Sequence, residues 1–140
     1  MKVLEIPFNK FLGLESANND DNYIFKLEPK DEYMNHLGTI HASAMFALAE
    51  ASSGEYLLNQ FKDFQLDIIP VVRKVEIKYS KPANGVISSR ANIIDSDIHL
   101  TINELKDKGR VIIKVKVDLF NKDAEKLFTS IFDWFITNRY

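Results

Sequence analysis

Between Ala42 and Gly54, nine of thirteen residues are Ala, Ser or Gly. Within and just beyond this run, Met45, Leu48, Ala49, Ser52 and Tyr56 recur at steps of three and four, the spacing of one helical face. The expected element is a helix from about Ala42 to Gln60. Side chains this small let a helix lie very close to a neighbouring surface. Gly54 costs such a helix roughly 1 kcal/mol against Ala, so close packing is the expected reason for it.

What encloses the helix follows it in the chain. After Pro70 the apolar period changes to two, and Val71–Ser80, Val86–Ile94, Ile98–Leu105, Arg110–Phe120 and Leu127–Ile136 all read as strands. Arg110–Phe120 is the clearest, with Val111, Ile113, Val115, Val117 and Leu119 on one face and Lys114, Lys116 and Asp118 on the other. Asp107-Lys108-Gly109 and Asn121–Glu125 read as hairpin turns. Leu127–Ile136 is apolar on both faces, through Phe128, Phe132, Trp134 and Ile136 on one and Ile131 and Phe135 on the other. Upstream, Pro7–Leu12 reads as one helical turn stopped by Gly13. Leu14–Ala17 and Tyr23–Leu27 read as short strands across the Asn18–Asn22 turn cluster, with a further helical turn near Asp31–Met34. The sum is an α+β architecture, one long helix against a mostly antiparallel sheet of about six strands. One helix cannot cover both sheet faces, so the second face meets water or another subunit.

Length and composition bound the function classes. The 140 residues fit one domain spanning 1–140. A formal net charge of -2 offers no basic field for nucleic acid. The absence of cysteine excludes disulfides, thiolate metal sites and thiol nucleophiles, and agrees with a reducing cytoplasm. Glu5, Asn9 and Lys10 interrupt the opening segment, so no signal peptide is expected, and no apolar run is long enough for a membrane span. The expectation is a soluble, cytoplasmic protein without a metal or cofactor.

The chemistry concentrates in Asn35–Gly54, NHLGTIHASAMFALAEASSG. A Gly-containing loop feeds a helix whose first amides, at Ala42 and Ser43, lack intrahelical acceptors and sit at the positive end of the macrodipole. Every helix has such an end, so this alone says little. Glu50 is more specific. It falls roughly 100–120° from the mean direction of the buried face, beside Phe46, Ser53 and Leu57, where a carboxylate is neither fully solvated nor in the core. That setting raises a carboxyl pKa toward a general base's working range; the plainer reading is an ordinary surface glutamate.

The string N-x5-H-A-S-x6-E before a small-residue helix resembles hotdog-fold acyl-CoA thioesterases of the 4-hydroxybenzoyl-CoA and phenylacetyl-CoA type. Asn35, Gly38, Thr39, His41, Leu48 and Glu50 stand in register with that family's N-x-x-G-T-x-H-G-G-x-x-x-x-L-x-D/E form. IPFNKFLGLE and VEIKYSKPANG resemble its opening segment and its strand–Pro–Gly turn, so the likeness runs through most of the chain. It implies a curved antiparallel sheet wrapped around the helix, and hydrolysis of an acyl-CoA or acyl-carrier-protein thioester. It also implies a homodimer or homotetramer with a site shared between subunits. In that reading the Ala42 N–H polarises the thioester carbonyl, and Glu50 of the other subunit activates water or attacks the carbon. Asn35 places the water or carbonyl, and His41 shapes the helix start.

Two features depart from the family form. Ala42-Ser43 replace Gly-Gly, which narrows the approach to the amide, and Val72 and Gly54 stand where relatives often carry a hydroxyl. Ser52 and Ser53 read as small packing residues. A different class of function, a non-catalytic acyl or acyl-CoA binding protein, therefore stands beside the hydrolase. A third reading, an acyl dehydratase, rests on the separation of His36 from Glu50, without the Pro- and Gly-rich loop of such enzymes. The Asp31–His36 spacing also mimics a hydratase pair in unmatched surroundings. Lys74, Lys78, Lys81 and Arg90 read as a solvated strand face that could meet CoA phosphates.

Overall fold

The computed structural model describes residues 1–17 and 22–139. Among them, three α-helices, α1 (Pro7–Leu12), α2 (Ala42–Phe61) and α3 (Ile98–Lys108), accompany six strands: β1 (Glu15–Ser16), β2 (Phe25–Leu27), β3 (Ile68–Tyr79), β4 (Ile87–Ile94), β5 (Arg110–Phe120) and β6 (Lys126–Asn138). The strands form one sheet in the order β1-β2-β4-β5-β6-β3, with every neighbouring pair antiparallel. The sheet curves around α2, which packs against β2, β4, β5 and β6. This is the hotdog fold. No helix among the described residues is long and apolar enough to cross a membrane.

Eleven of the twenty residues of α2 are buried, far more than one stripe, as its small side chains allow. Beneath it, Val111, Ile113, Val115, Val117 and Leu119 of β5 and Phe128, Phe132, Trp134 and Ile136 of β6 are buried. The alternation in β5 is the one read from its sequence. On β6 the second apolar face, Ile131 and Phe135, is only half buried, and the Arg73 guanidinium lies 4.0 Å from the Phe135 ring centre. Arg73 stands at a β-bulge in β3, between Val72 and Lys74.

The expected strand Ile98–Leu105 is a correction: it is helix α3. The Asp97 carboxylate caps it, accepting from the N–H groups of His99 and Leu100 at 2.8 and 3.3 Å. Thr101, Ile102 and Leu105 are buried, whereas Leu100 is 70% exposed, which a strand sharing Ile98, Leu100 and Ile102 on one face would not allow. Asp107-Lys108-Gly109 is likewise no hairpin turn. It ends α3, with Gly109 at φ +74 donating its N–H to Leu105 O at 2.8 Å. The long helix is therefore not alone against the sheet, and four strands, not five, follow it.

Asn121–Glu125 does form the turn between β5 and β6, with Asn121 Oδ1 accepting from the N–H groups of Asp123 and Glu125. Of the Asn18–Asn22 cluster, only Asn22 lies within the described residues, at φ +60. β3 begins at Ile68, before Pro70. It is an edge strand, the place where a proline without an N–H is tolerated.

Candidate functional site

His41 occupies the N-cap of α2 in extended geometry, and its Nδ1 accepts from the Ser43 N–H at 2.9 Å. An accepting ring nitrogen carries no hydrogen, which places the imidazole hydrogen on Nε2. The N–H groups of Ala44 and Met45 both go to His41 O, at 3.0 and 3.2 Å. Of the first amides of the helix this leaves Ala42, whose N–H donates to no described residue. The sequence alone leaves Ser43 open as well; in the structure the His41 side chain takes it.

The loop before the helix is built on Asn35. Its Oδ1 accepts from the N–H groups of Leu37 and Thr39 at 2.9 and 3.1 Å, and its Nδ2 donates to Thr39 Oγ1 at 2.9 Å. The turn this makes needs Gly38 at φ +74. His41 N–H then donates to Tyr33 O at 2.7 Å, fixing the direction in which the chain enters α2. Asn35, Thr39, Ala42 and Tyr79 line a cleft of about 300 Å³ at this helix start. The Tyr79 hydroxyl donates to Ala42 O at 3.2 Å, and burial raises its pKa. Tyr79 lies in the VEIKYSKPANG segment, but nothing in its spacing marked it as a neighbour of Ala42.

Glu50 stands eight residues further along α2, about 12 Å at 1.5 Å per residue. It is open to solvent in the single chain, yet it is the only charged side chain among the described residues that line a second cleft. That cleft holds about 130 Å³ between α2 and the N-terminal segment, with Val3, Ile6, Leu58, Pro70 and Trp134 as apolar walls. Partial withdrawal from water into these walls raises the Glu50 carboxyl above its ordinary value. One chain thus carries a free helix-start amide and a partly desolvated acid in two separate clefts. The N-terminal wall and Trp134 were not anticipated as parts of a site, because only the folded chain brings them beside Glu50.

The hydroxyls near Glu50 are structural. Ser52 and Ser53 are fully buried. Ser52 Oγ lies 2.7 Å from Leu48 O and 2.6 Å from Ser89 Oγ. Ser53 Oγ donates to Glu50 O at 2.7 Å and accepts from Trp134 Nε1 at 3.1 Å. His36 and Asp31 are exposed at the protein surface. Lys74 pairs with Glu76, and Lys81 with Glu125.

Similar folds occur among solved structures. A Pseudomonas aeruginosa protein of unknown function, called a probable thioesterase, is 22% identical, with 98% of this chain and 91% of that one covered and a TM-score of 0.82. A thioesterase from Haemophilus influenzae is 17% identical, covering 97% and 86% with a TM-score of 0.74. A Bacillus halodurans protein crystallised with CoA is 18% identical, covering 92% and 74% with a TM-score of 0.70. Such identities carry the fold alone. No curated protein matches in sequence. Residues 19–136 match the model of a family described as a domain of unknown function, DUF4442, and the chain belongs to that family.

Proposed function

We propose that the protein hydrolyses an acyl thioester, of CoA or of an acyl carrier protein, at a site completed by two copies of the chain. The observation that carries this reading is the separation of Ala42 from Glu50 on one rigid helix. Some 12 Å of helix cannot bring both to a single carbonyl, whereas the helix start of one copy and the Glu50 of another can meet it. The Ala42 N–H would hold the carbonyl oxygen as it gains charge. Glu50 would take a proton from water as the water oxygen bonds to the carbon. When the tetrahedral intermediate collapses, the C–S bond breaks and Glu50 returns the proton to the leaving thiolate. His41 caps the helix and Asn35 shapes its approach, so both would position the Ala42 amide. Two similar folds are called thioesterases, one of them only a probable one, and a third was crystallised with CoA, which supports this substrate class.

A second reading, binding without turnover, is favoured by one observation: among the described residues no Ser or Thr lines the cleft beside Glu50. Free thiol release from a panel of acyl-CoAs separates the two. The hydrolase reading expects turnover by the wild type and a loss of about 100–10,000-fold in Glu50→Gln, the usual worth of a positioned base. Absence of wild-type turnover on every chain length would leave the binding protein.

A further inference from the structure

Gly54 sits in the middle of α2, where glycine costs about 1 kcal/mol against alanine. Its backbone does not require it, since the positive-φ glycines are Gly13, Gly38 and Gly109. Packing does not require it either. A Cβ there would lie 3.6 Å from Cη2 and Cζ2 of Trp134, an ordinary contact, with no other described atom outside the local helix backbone within 4 Å. The close approach expected from the sequence is therefore not what selects glycine. What a side chain would occupy is the cleft that Gly54 lines together with Glu50.

Trp134 forms the facing wall and is held rigidly. Its Nε1–H donates to the buried Ser53 Oγ at 3.1 Å, and Ser53 in turn donates to the carbonyl of Glu50 at 2.7 Å. The orientation of the indole is thus tied to the same helical turn that carries the acid.

We propose that the cleft beside Glu50 is the acyl pocket of the shared site, floored by Trp134 and kept open by the missing side chain of Gly54. It then selects small apolar acyl groups. Resting on the thioesterase reading, the inference adds to it a substrate class and two specificity-determining residues. The space that one chain contributes is small: the cleft holds about 130 Å³, against the apolar cavity of about 150 Å³ that admits benzene. An acyl group of about six carbons fills such a space. Longer chains meet the fixed indole.

The test is a series from acetyl-CoA to dodecanoyl-CoA, read by thiol release in the wild type, Gly54→Ala and Trp134→Phe. One methylene too many in a hydrophobic pocket costs about 10–200-fold. Wild-type kcat/KM is expected to fall steeply beyond about six carbons. In Gly54→Ala the hexanoyl-to-acetyl ratio of kcat/KM should drop about tenfold or more, and in Trp134→Phe the cutoff should move to longer chains. Alanine at position 54 favours the helix, so a misfolded variant is not the expected complication. Trp134 is the only tryptophan of the chain, and its emission in Glu50→Gln reports filling of the pocket without turnover. Hydrolysis with a ratio unchanged in Gly54→Ala would overturn the pocket while leaving the hydrolase. Emission that responds to hexanoyl-CoA but not dodecanoyl-CoA, with no thiol release by the wild type, would support the pocket and remove the hydrolase. No change in emission with any chain length overturns the pocket.

Discussion

Glu50 is held against apolar walls, and among the described residues no cation pairs with it. A carboxyl whose pKa is raised by folding is more easily protonated in the folded state than in the unfolded chain. Its contribution to stability is therefore greatest below the unfolded value and falls as pH rises through the raised one. At neutral pH the ionised Glu50 destabilises the fold, so Glu50→Gln should melt above the wild type there. The gap should close in acid, below the ordinary Glu value of about 4.3. The same shift governs activity, because only the carboxylate can accept a proton from water. The acid limb of kcat/KM should accordingly have its midpoint above the ordinary Glu range. A limb at or below that range, or a Gln variant no more stable than wild type at neutral pH, would mean that the apolar walls do not act on this carboxyl. Loss of activity combined with gain in stability also separates a functional acid from a structural one, whose replacement would lower both.

At the scale of elements, α3 shows where sequence and fold part company. Ile98, Leu100 and Ile102 alternate as a strand would, while Ile98, Ile102 and Leu105 step as a helix would, so the apolar pattern supports two periods at once. The decision lies with Asp97, whose carboxylate satisfies two orphan amides, and with Gly109, which supplies the left-handed stop. Replacing Asp97 by Ala should cost about 0.5–2 kcal/mol, read as a lower urea midpoint at unchanged slope; no loss would mean that packing of Ile102 and Leu105 alone specifies the helix. β5 was legible because its alternation has one interpretation, with five inward apolar residues and lysines opposite. α2 was legible for the same reason at a period of 3.6. The candidate site was legible in the part local to one stretch, from Asn35 to Glu50. Val3, Ile6, Tyr79 and Trp134 were not, since their nearness to that stretch arises from the wrapping of the sheet and leaves no spacing to read.

At the scale of the molecule, β3 offers an edge of twelve residues with no further strand beside it among the described residues, and Ile69 and Val71 are exposed along it. An edge strand presents unpaired N–H and C=O groups to another chain, a row that Pro70 and the bulge at Arg73 interrupt here, and a two-fold pair would place each chain's residues in both halves of the interface. A shared site makes a prediction that no monomeric site makes. Ala42 is the first helical residue of α2 and His41 before it is already extended, at φ −62 and ψ 140. That is the setting in which proline is accepted without disturbing a helix. Ala42→Pro therefore deletes one N–H and little else, and should lower kcat by about 100–1,000-fold if that amide holds the oxyanion. Glu50→Gln should be comparably inactive for a different reason. Mixed and allowed to exchange subunits, the two variants form hybrid dimers in which one site has lost both groups and the other has lost neither. Random exchange between equal amounts should restore about a quarter of wild-type activity, since half the dimers are hybrids and each hybrid carries one intact site of two. If the amide and the acid instead served one carbonyl within a single chain, mixing would restore nothing, because every chain in the mixture lacks one of them.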